Sequence, residues 1–337
     1  MTAGAAHLVT RLNVGGIARY LEMARGAVDH LVRGQVEGAE REASWLGPQT
    51  RLRALRRSID PVRDLRALLD LERLLRRLRP TILHTHASKA GALGRIVARR
   101  LGIACVHTFH GHVLEGYFPR PLSRLLERAE RFLARGVRLT ATGPATARDL
   151  QARLGVPVAV LPPGIDLPDA PPGAREFLRA QWGRPERVAL AVGRPVATKG
   201  LARFVRCARR AGFLPVVAGT GRLPGALALG TVRDMAGLYA ASDVVVSAST
   251  REGTPYALLE AAWYGRPVVA LPAGDVAWIV GDGGLVTEDL ASGLLRMRDP
   301  GLRLELGERA AVEVRRRFPV SGAVSRLREL YADLSRC

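Results

Sequence analysis

Residues 249–267 read STREGTPYALLEAAWYGRP, and how this stretch divides decides the fold. Just before it, 243–247 (DVVVS) is a short β-branched run bounded by polar residues, which predicts a buried parallel strand. A tight loop over 249–254 follows. The spacing then predicts a helix with Thr254 as N-cap and Pro255 at the first helical position, where a missing N–H costs nothing. Leu258, Leu259, Ala262 and Trp263 carry the helix to Gly265, a C-terminal cap, with Pro267 just beyond. Glu252 in the loop and Glu260 in the helix have seven residues between them. A helix start presents backbone N–H groups on which a ligand phosphate can rest. Glu252 then lies at the mouth of such a site and Glu260 more than a turn further down. That suits a ligand with a sugar at one end, phosphates in the middle and a ribose at the other.

Working back from there, 188–192 is an apolar strand leading into GRPVATKG at 193–200. Arg194 and Lys199, five apart on that loop, can hold a diphosphate from two sides; a loop with two exposed cations is the plainer alternative. Another strand, 215–218, ends in Gly219-Thr220-Gly221, and Met235, Leu238 and Tyr239 start a helix leading to Asp243. Beyond Pro267, 268–271 reads as a strand and 273–275 as a helix start. The Pro-rich stretch 168–173 reads as an interdomain linker. The boundaries expected are 1–167 for a first domain, 174–318 for a second, and 319–337 for a terminal helix returning toward the first.

The first half repeats the alternation of strands and helices. His7 to Thr10 is a strand candidate followed by Gly15-Gly16 and a helix with Ile17, Tyr20, Leu21 and Ala24 on one face. Backbone can approach an anion closely at such a turn, and a plain tight turn fits as well. No G-x-G-x-x-G is present, which argues against a nicotinamide cofactor. Asp60-Pro61 opens a helix through Leu78, whereas the preceding stretch 35–59 offers little pattern. Residues 81–86 (TILHTH) form a strand running into Ser88 and Lys89, placed for an anion at a strand's C-terminal end; a capped helix with a surface lysine fits equally. Residues 105–109 form the next strand and lead into His110-Gly111-His112. Gly116-Tyr117-Phe118-Pro119 precedes an amphipathic helix with Leu122, Leu125, Leu126, Ala129, Phe132 and Leu133 on one face. That face is expected to pack on its own sheet, with a membrane interface as the alternative.

These motifs resemble those of retaining glycosyltransferases of family 4. E-G-x-P-x-x-L-L-E-A followed by G-x-P-V-V-A is similar to the family's E-x7-E signature, 193–200 to its G-R-x4-K-G loop, and H-T-H-A-S-K-A-G at 84–91 to a segment of enzymes of bacterial surface-polysaccharide assembly. The resemblance implies an α/β fold of GT-B type, two doubly wound Rossmann-like domains facing across a cleft. The first would serve the acceptor and the second the nucleotide sugar. It implies transfer of a hexose or N-acetylhexosamine with retention of anomeric configuration, from a UDP-sugar ahead of a GDP-sugar, without metal or cofactor. His110 and Glu252 would act on the sugar. Arg194, Lys199, Thr254, Pro255, Tyr256 and Ala257 would hold the diphosphate, and Glu260, Val232 and Arg233 the ribose and base. Gly15, Gly16, Ser88 and Lys89 would line the cleft on the acceptor side. Trp278 stands where the family's G-G-x-x-E-x-V segment has its acid, a departure from the pattern.

Composition bounds the rest. The net charge is +20, split as +13 over 1–150 and +7 over the remainder. Lys89 and Lys199 are the chain's two lysines; the other 49 basic residues are arginines, a bias that points to genome composition. The basic first half would favour an anionic membrane surface or an anionic glycan acceptor. A nucleic-acid partner is disfavoured, since aromatic residues make up 5% and no recognition motif appears. No run reaches the roughly 18 apolar residues of a membrane span and no leader pattern opens the chain, so a cytoplasmic protein with reduced thiols is expected, peripheral at most. Five of the seven histidines lie between 84 and 112, but no Cys joins them and no H-x3–5-H pair falls on a helix, so a metal centre is not expected. A soluble acceptor, a GT-B epimerase and a phosphorylase remain as rivals. A non-catalytic scaffold should have lost Glu252 or the Arg194–Lys199 pair, which are present.

Overall fold

The computed structural model describes residues 4–38, 40–112, 114, 118–219 and 221–336. Thr220, Gly116 and Tyr117, each drawn on above, lie outside the described residues. The chain divides into two units, Met1–Gly164 with Val320–Cys337, and Ile165–Pro319.

The first unit is built on a seven-stranded parallel sheet. Its strands are β1 (Ala5–Val9), β2 (His30–Arg33), β3 (Gln49–Arg51), β4 (Ile82–His86), β5 (Ala104–Phe109), β6 (Arg138–Ala141) and β7 (Val158–Val160). The order β3-β2-β1-β4-β5-β6-β7 reverses direction between β1 and β4. At such a switch point the loops after neighbouring strands part and leave a crevice. The helix Pro61–Leu78 begins as expected, with the Asp60 carboxylate accepting from the Arg63 N–H at 3.0 Å. Leu68, Leu71 and Leu75 of this helix pack with Leu8, Leu83 and Val97 in one apolar layer.

The amphipathic helix is Arg120–Leu133, and its apolar face corrects the expectation. Leu133 is buried and Leu126 packs against the cluster around Leu139 and Leu150, while Leu122, Leu125 and Phe132 are exposed. The sheet therefore receives only part of that face.

The second unit carries a six-stranded parallel sheet: β8 (Val188–Val192), β9 (Leu214–Ala218), β10 (Leu227–Ala228), β11 (Val244–Ser247), β12 (Val268–Ala270) and β13 (Gly284–Val286). Its order, β10-β9-β8-β11-β12-β13, places a second switch point between β8 and β11. Strands covered on both faces by helices read as continuous apolar runs, which is why Val244, Val245 and Val246 are all buried. The helix after β11 is Tyr256–Trp263, with Pro255 rather than Thr254 as its N-cap residue. It starts one residue later than the sequence suggests because Pro255 keeps an extended ψ of 103°. It ends as expected: Gly265 is left-handed, the Gly265 N–H reaches the Ala262 carbonyl, and the Arg266 N–H reaches that of Ala261. Among the described residues no helix is long and apolar enough to cross a membrane.

Candidate active site

Three loops at the C-terminal ends of β8, β11 and β12 are tied together. The Thr250 N–H donates to the Thr198 carbonyl at 2.9 Å, joining the loop after β11 to the loop after β8. The Asp275 N–H donates to the Gly253 carbonyl at 3.3 Å, joining it to the loop after β12. Gly274 has a φ of 52°, and a Cβ there would lie 1.9 Å from the Glu252 carbonyl oxygen, so only glycine lets these two backbones meet. Glu252 is thereby held from behind by a residue more than twenty positions away.

Lys199, at the end of the short 3-10 turn Ala197–Lys199, points its ammonium at this carboxylate: Nζ lies 2.5 Å from Glu252 Oε1. The lysine and the glutamate come from different loops and form one part-buried ion pair. Arg194, by contrast, is exposed and makes no side-chain ion pair or hydrogen bond among the described residues. Thr254, Pro255 and Ala257 are half-buried at the helix start, and Tyr256 is buried. One turn into the helix, buried Glu260 accepts from the Tyr239 hydroxyl at 2.9 Å. The same hydroxyl lies 3.1 Å from the Ala257 carbonyl, and the Tyr239 ring stacks on Tyr264. Tyr239 is the residue that sequence reasoning missed: a tyrosine on an amphipathic helix reads as core. Val232, half-buried, and Arg233, exposed, lie in the loop before the helix Met235–Ala241, which Asp234 caps through the Gly237 N–H. Trp278 packs edge-on against Phe318 at 5.1 Å, with the Arg317 guanidinium over its ring.

The first unit gathers its candidates in the same way, at the C-terminal ends of β1, β4 and β5. Gly15 is the N-cap of the helix Gly16–Met23, and both glycines are exposed. That loop is strapped down by the Val14 N–H on the Arg41 carbonyl and the Ala43 N–H on the Leu12 carbonyl. Thr10 Oγ1, at the end of β1, accepts from the Ala90 N–H at the start of the helix Ser88–Leu101. Ser88 is exposed at that start. Lys89 is not an open cation: its Nζ lies 2.6 Å from Asp64 Oδ1 and also meets the Ser58 carbonyl. The residue before the helix, Ala87, has φ 64° and ψ 157°, a backbone region nearly confined to glycine.

His110 is half-buried after β5. Its Nε2 lies 3.0 Å from His86 Nδ1, and the ring of Tyr20, from the helix Gly16–Met23, stands edge-on at 4.8 Å. Burial pushes its pKa down to about 3, so its imidazole is neutral at pH 7. His112 instead pairs with Asp149 at 2.6 Å. No metal was expected, yet His7, His84 and His86 come together with nitrogens within 4.8 Å of one another. His84 and His86 alternate along β4 while His7 comes from β1, more than seventy residues earlier, so no helical spacing could reveal them.

Two Rossmann-like α/β units, with a cationic and acidic loop set at the switch point of the second, define the class of GT-B nucleotide-sugar glycosyltransferases. Comparison with known proteins agrees. Residues 14–168 match the model described as Glycosyltransferase Family 4, and residues 186–299 that of Glycosyl transferases group 1. The chain is 30% identical to a D-inositol 3-phosphate glycosyltransferase of Arthrobacter sp. over 290 residues, covering 72% of this chain and 69% of that one. It is 27% identical to the Escherichia coli UDP-Gal:alpha-D-GlcNAc-diphosphoundecaprenol alpha-1,3-galactosyltransferase over 316 residues, 82% of each. Among solved structures, Anabaena Alr3699/HepE in complex with UDP and glucose superposes with a TM-score of 0.82 at 18% identity, covering 98% of this chain and all of that one. WaaG, a glycosyltransferase involved in lipopolysaccharide biosynthesis, does so at 0.72 and 17%, covering 95% and 98%. The chain belongs to glycosyltransferase family 4.

Proposed function

We propose that this glycosyltransferase moves a hexose or N-acetylhexosamine from a UDP-sugar to a lipid-linked glycan, with retention of configuration and without a metal. The observation that carries the donor reading is the Lys199–Glu252 pair at the head of a helix whose second turn holds Glu260. A leaving diphosphate needs positive potential. Lys199, Arg194 and the backbone N–H groups at the start of Tyr256–Trp263 would supply it, at about 3 kcal/mol for each well-aimed donor. With that potential provided by fixed groups, a divalent cation has no task left. Glu252, freed from Lys199 as the diphosphate takes its place, would face the sugar and favour the oxocarbenium-like transition state. Glu260, oriented by Tyr239, would accept from the ribose hydroxyls, and the loop at Val232 and Arg233 would meet the base. His110 would position the sugar.

Two observations support the acceptor. The E. coli relative named above acts on a diphosphoundecaprenol-linked sugar. The helix Arg120–Leu133 leaves Leu122, Leu125 and Phe132 exposed beside Arg120, Arg124, Arg128 and Arg131, the composition that settles on an anionic membrane surface. Gly15, Gly16, Ser88 and Lys89 would then face the acceptor, in a peripheral enzyme at the cytoplasmic side. A small polyol acceptor is the second reading, favoured by the D-inositol 3-phosphate relative.

Calorimetric titration of UDP, GDP and ADP in EDTA tests the donor site. UDP is expected to bind without metal, and Lys199→Ala and Glu260→Ala to weaken it by about tenfold or more. Binding that ignores both variants, or absent in wild type, would show the site assignment to be wrong.

A further inference from the structure

Strands buried on both faces are expected to be apolar. One face of the first sheet instead carries His7, His84, His86, Thr108 and Thr140, all buried. The strand register sets them side by side: His7 opposite His84, His86 opposite Thr108, and Thr108 opposite Thr140. Tyr331, from the helix Val320–Ser335, closes over them.

Hydrogen bonds join these groups in one chain, beside which the Ala27 backbone also meets the His7 ring and Tyr20 meets Thr108. His110 Nε2 is 3.0 Å from His86 Nδ1, and His86 Nε2 is 3.0 Å from His7 Nδ1. His7 Nε2 is 2.9 Å from the Tyr331 hydroxyl, which is 2.6 Å from His84 Nδ1. His84 Nε2 is 2.6 Å from Thr108 Oγ1, itself 2.6 Å from Thr140 Oγ1. Thr140 Oγ1 then lies 3.3 Å from the His107 carbonyl oxygen.

A neutral imidazole has one donor and one acceptor nitrogen, and a hydroxyl has one proton, so the direction of one bond fixes all the others. The far end supplies that direction, because a carbonyl oxygen can only accept. Thr140 donates to it and accepts from Thr108, which accepts from His84 Nε2–H. His84 Nδ1 accepts from Tyr331, whose oxygen accepts from His7 Nε2–H. His7 Nδ1 accepts from His86 Nε2–H, and His86 Nδ1 from His110 Nε2–H. What remains is the lone pair on His110 Nδ1, which takes no hydrogen bond from a described residue. Burial lowers the pKa of His7 to about 3 and holds His84 and His86 well below the ordinary histidine value, so neutrality is met throughout.

We propose that this chain is a tautomer lock, in which Tyr331, Thr140 and the buried histidines hold His110 as its Nε2–H form and present Nδ1 as a pure hydrogen-bond acceptor for a hydroxyl of the bound sugar. The last clause rests on the reading that His110 meets the donor sugar; the lock itself does not. A metal would need lone pairs converging in the plane of each ring. His84 and His86 stack at 4.4 Å with 27° between planes and His7 and His86 at 5.2 Å with 21°, while His7 and His84 are tilted by 38° at 4.7 Å, so the rings lie largely face to face.

Nitrogen-15 NMR of ring-labelled histidine in the full chain tests the lock without reference to activity. Wild type is expected to show His110 as a single form with Nε2 protonated and Nδ1 bare. Tyr331→Phe, which cuts the chain at its middle, should give mixed tautomers at His110 while leaving His107 unchanged. The His107 ring bonds to Thr85 on the other face of the sheet and lies outside the chain, which meets only the His107 backbone carbonyl. Thr140→Val, which removes the polarity-setting donor, should do the same and serves if Tyr331→Phe does not fold. Both variants should lower kcat about tenfold with the Kd for UDP unchanged. A protonated Nδ1 in wild type, one unchanged tautomer in both variants, or a stoichiometric metal whose removal shifts these ring signals would each overturn the lock. Tautomer shifts as expected with kcat unchanged would keep the lock and overturn the sugar contact.

Discussion

Lys199 and Glu252 neutralise each other across 2.5 Å in a part-buried setting, where each would otherwise bear the cost of desolvation alone. The pair also orients the lysine stem toward the loop where a diphosphate would bind. In a chain with 49 arginines, an ammonium at this position is a compact charge where the usual residue would be a planar fork. Lys199→Arg is therefore expected to weaken UDP binding by about tenfold; calorimetry giving wild-type affinity would mean that charge alone matters there. Lys199, Glu252 and Glu260 were legible because each sits in a short motif after a strand. Their geometry was not. Tyr239 reaches Glu260 from another helix, and Gly274 meets Glu252 from another loop, contacts that no local spacing encodes.

At the scale of elements, long apolar strands and capped helices were readable, and short polar ones were not. β3 is only Gln49–Arg51, without an apolar residue, and it pairs with β2 at the sheet edge, where patterning is weakest. The helix Arg120–Leu133 was readable as amphipathic, but whether its stripe meets a sheet or something else depends on neighbours supplied by the fold. Its exposed Leu125 and Phe132 carry the membrane reading. Co-sedimentation with anionic vesicles near physiological salt should fall by about tenfold or more in Leu125→Glu/Phe132→Glu, since each buried side chain is worth about 1.5–3 kcal/mol. An unchanged bound fraction, or no binding by wild type at any salt, would remove the membrane from the proposal.

Over the whole molecule, all seven histidines fall in the first unit. In His7 and His110 the folded pKa is lowered to about 3 from an ordinary 6.5, and His84, His86 and His107 shift the same way by burial. Between those values the unfolded chain binds protons that the folded unit refuses. Stability from these groups is thus complete above about pH 6.5 and declines as pH falls toward 3. Peptide-resolved hydrogen exchange, corrected for intrinsic rates, should show β1, β4 and β5 losing protection between pH 7.5 and 5, more than β8 and β11. Equal losses in both units would contradict it.

The two lysines also make the protein chemically addressable. One ε-amine stands in each unit, Lys89 beside Asp64 and Lys199 beside Glu252. An acylating reagent thus meets a single side-chain amine per half, each paired with a carboxylate. The extent of tagging at either position reads out, by mass alone, whether that half keeps its pair intact.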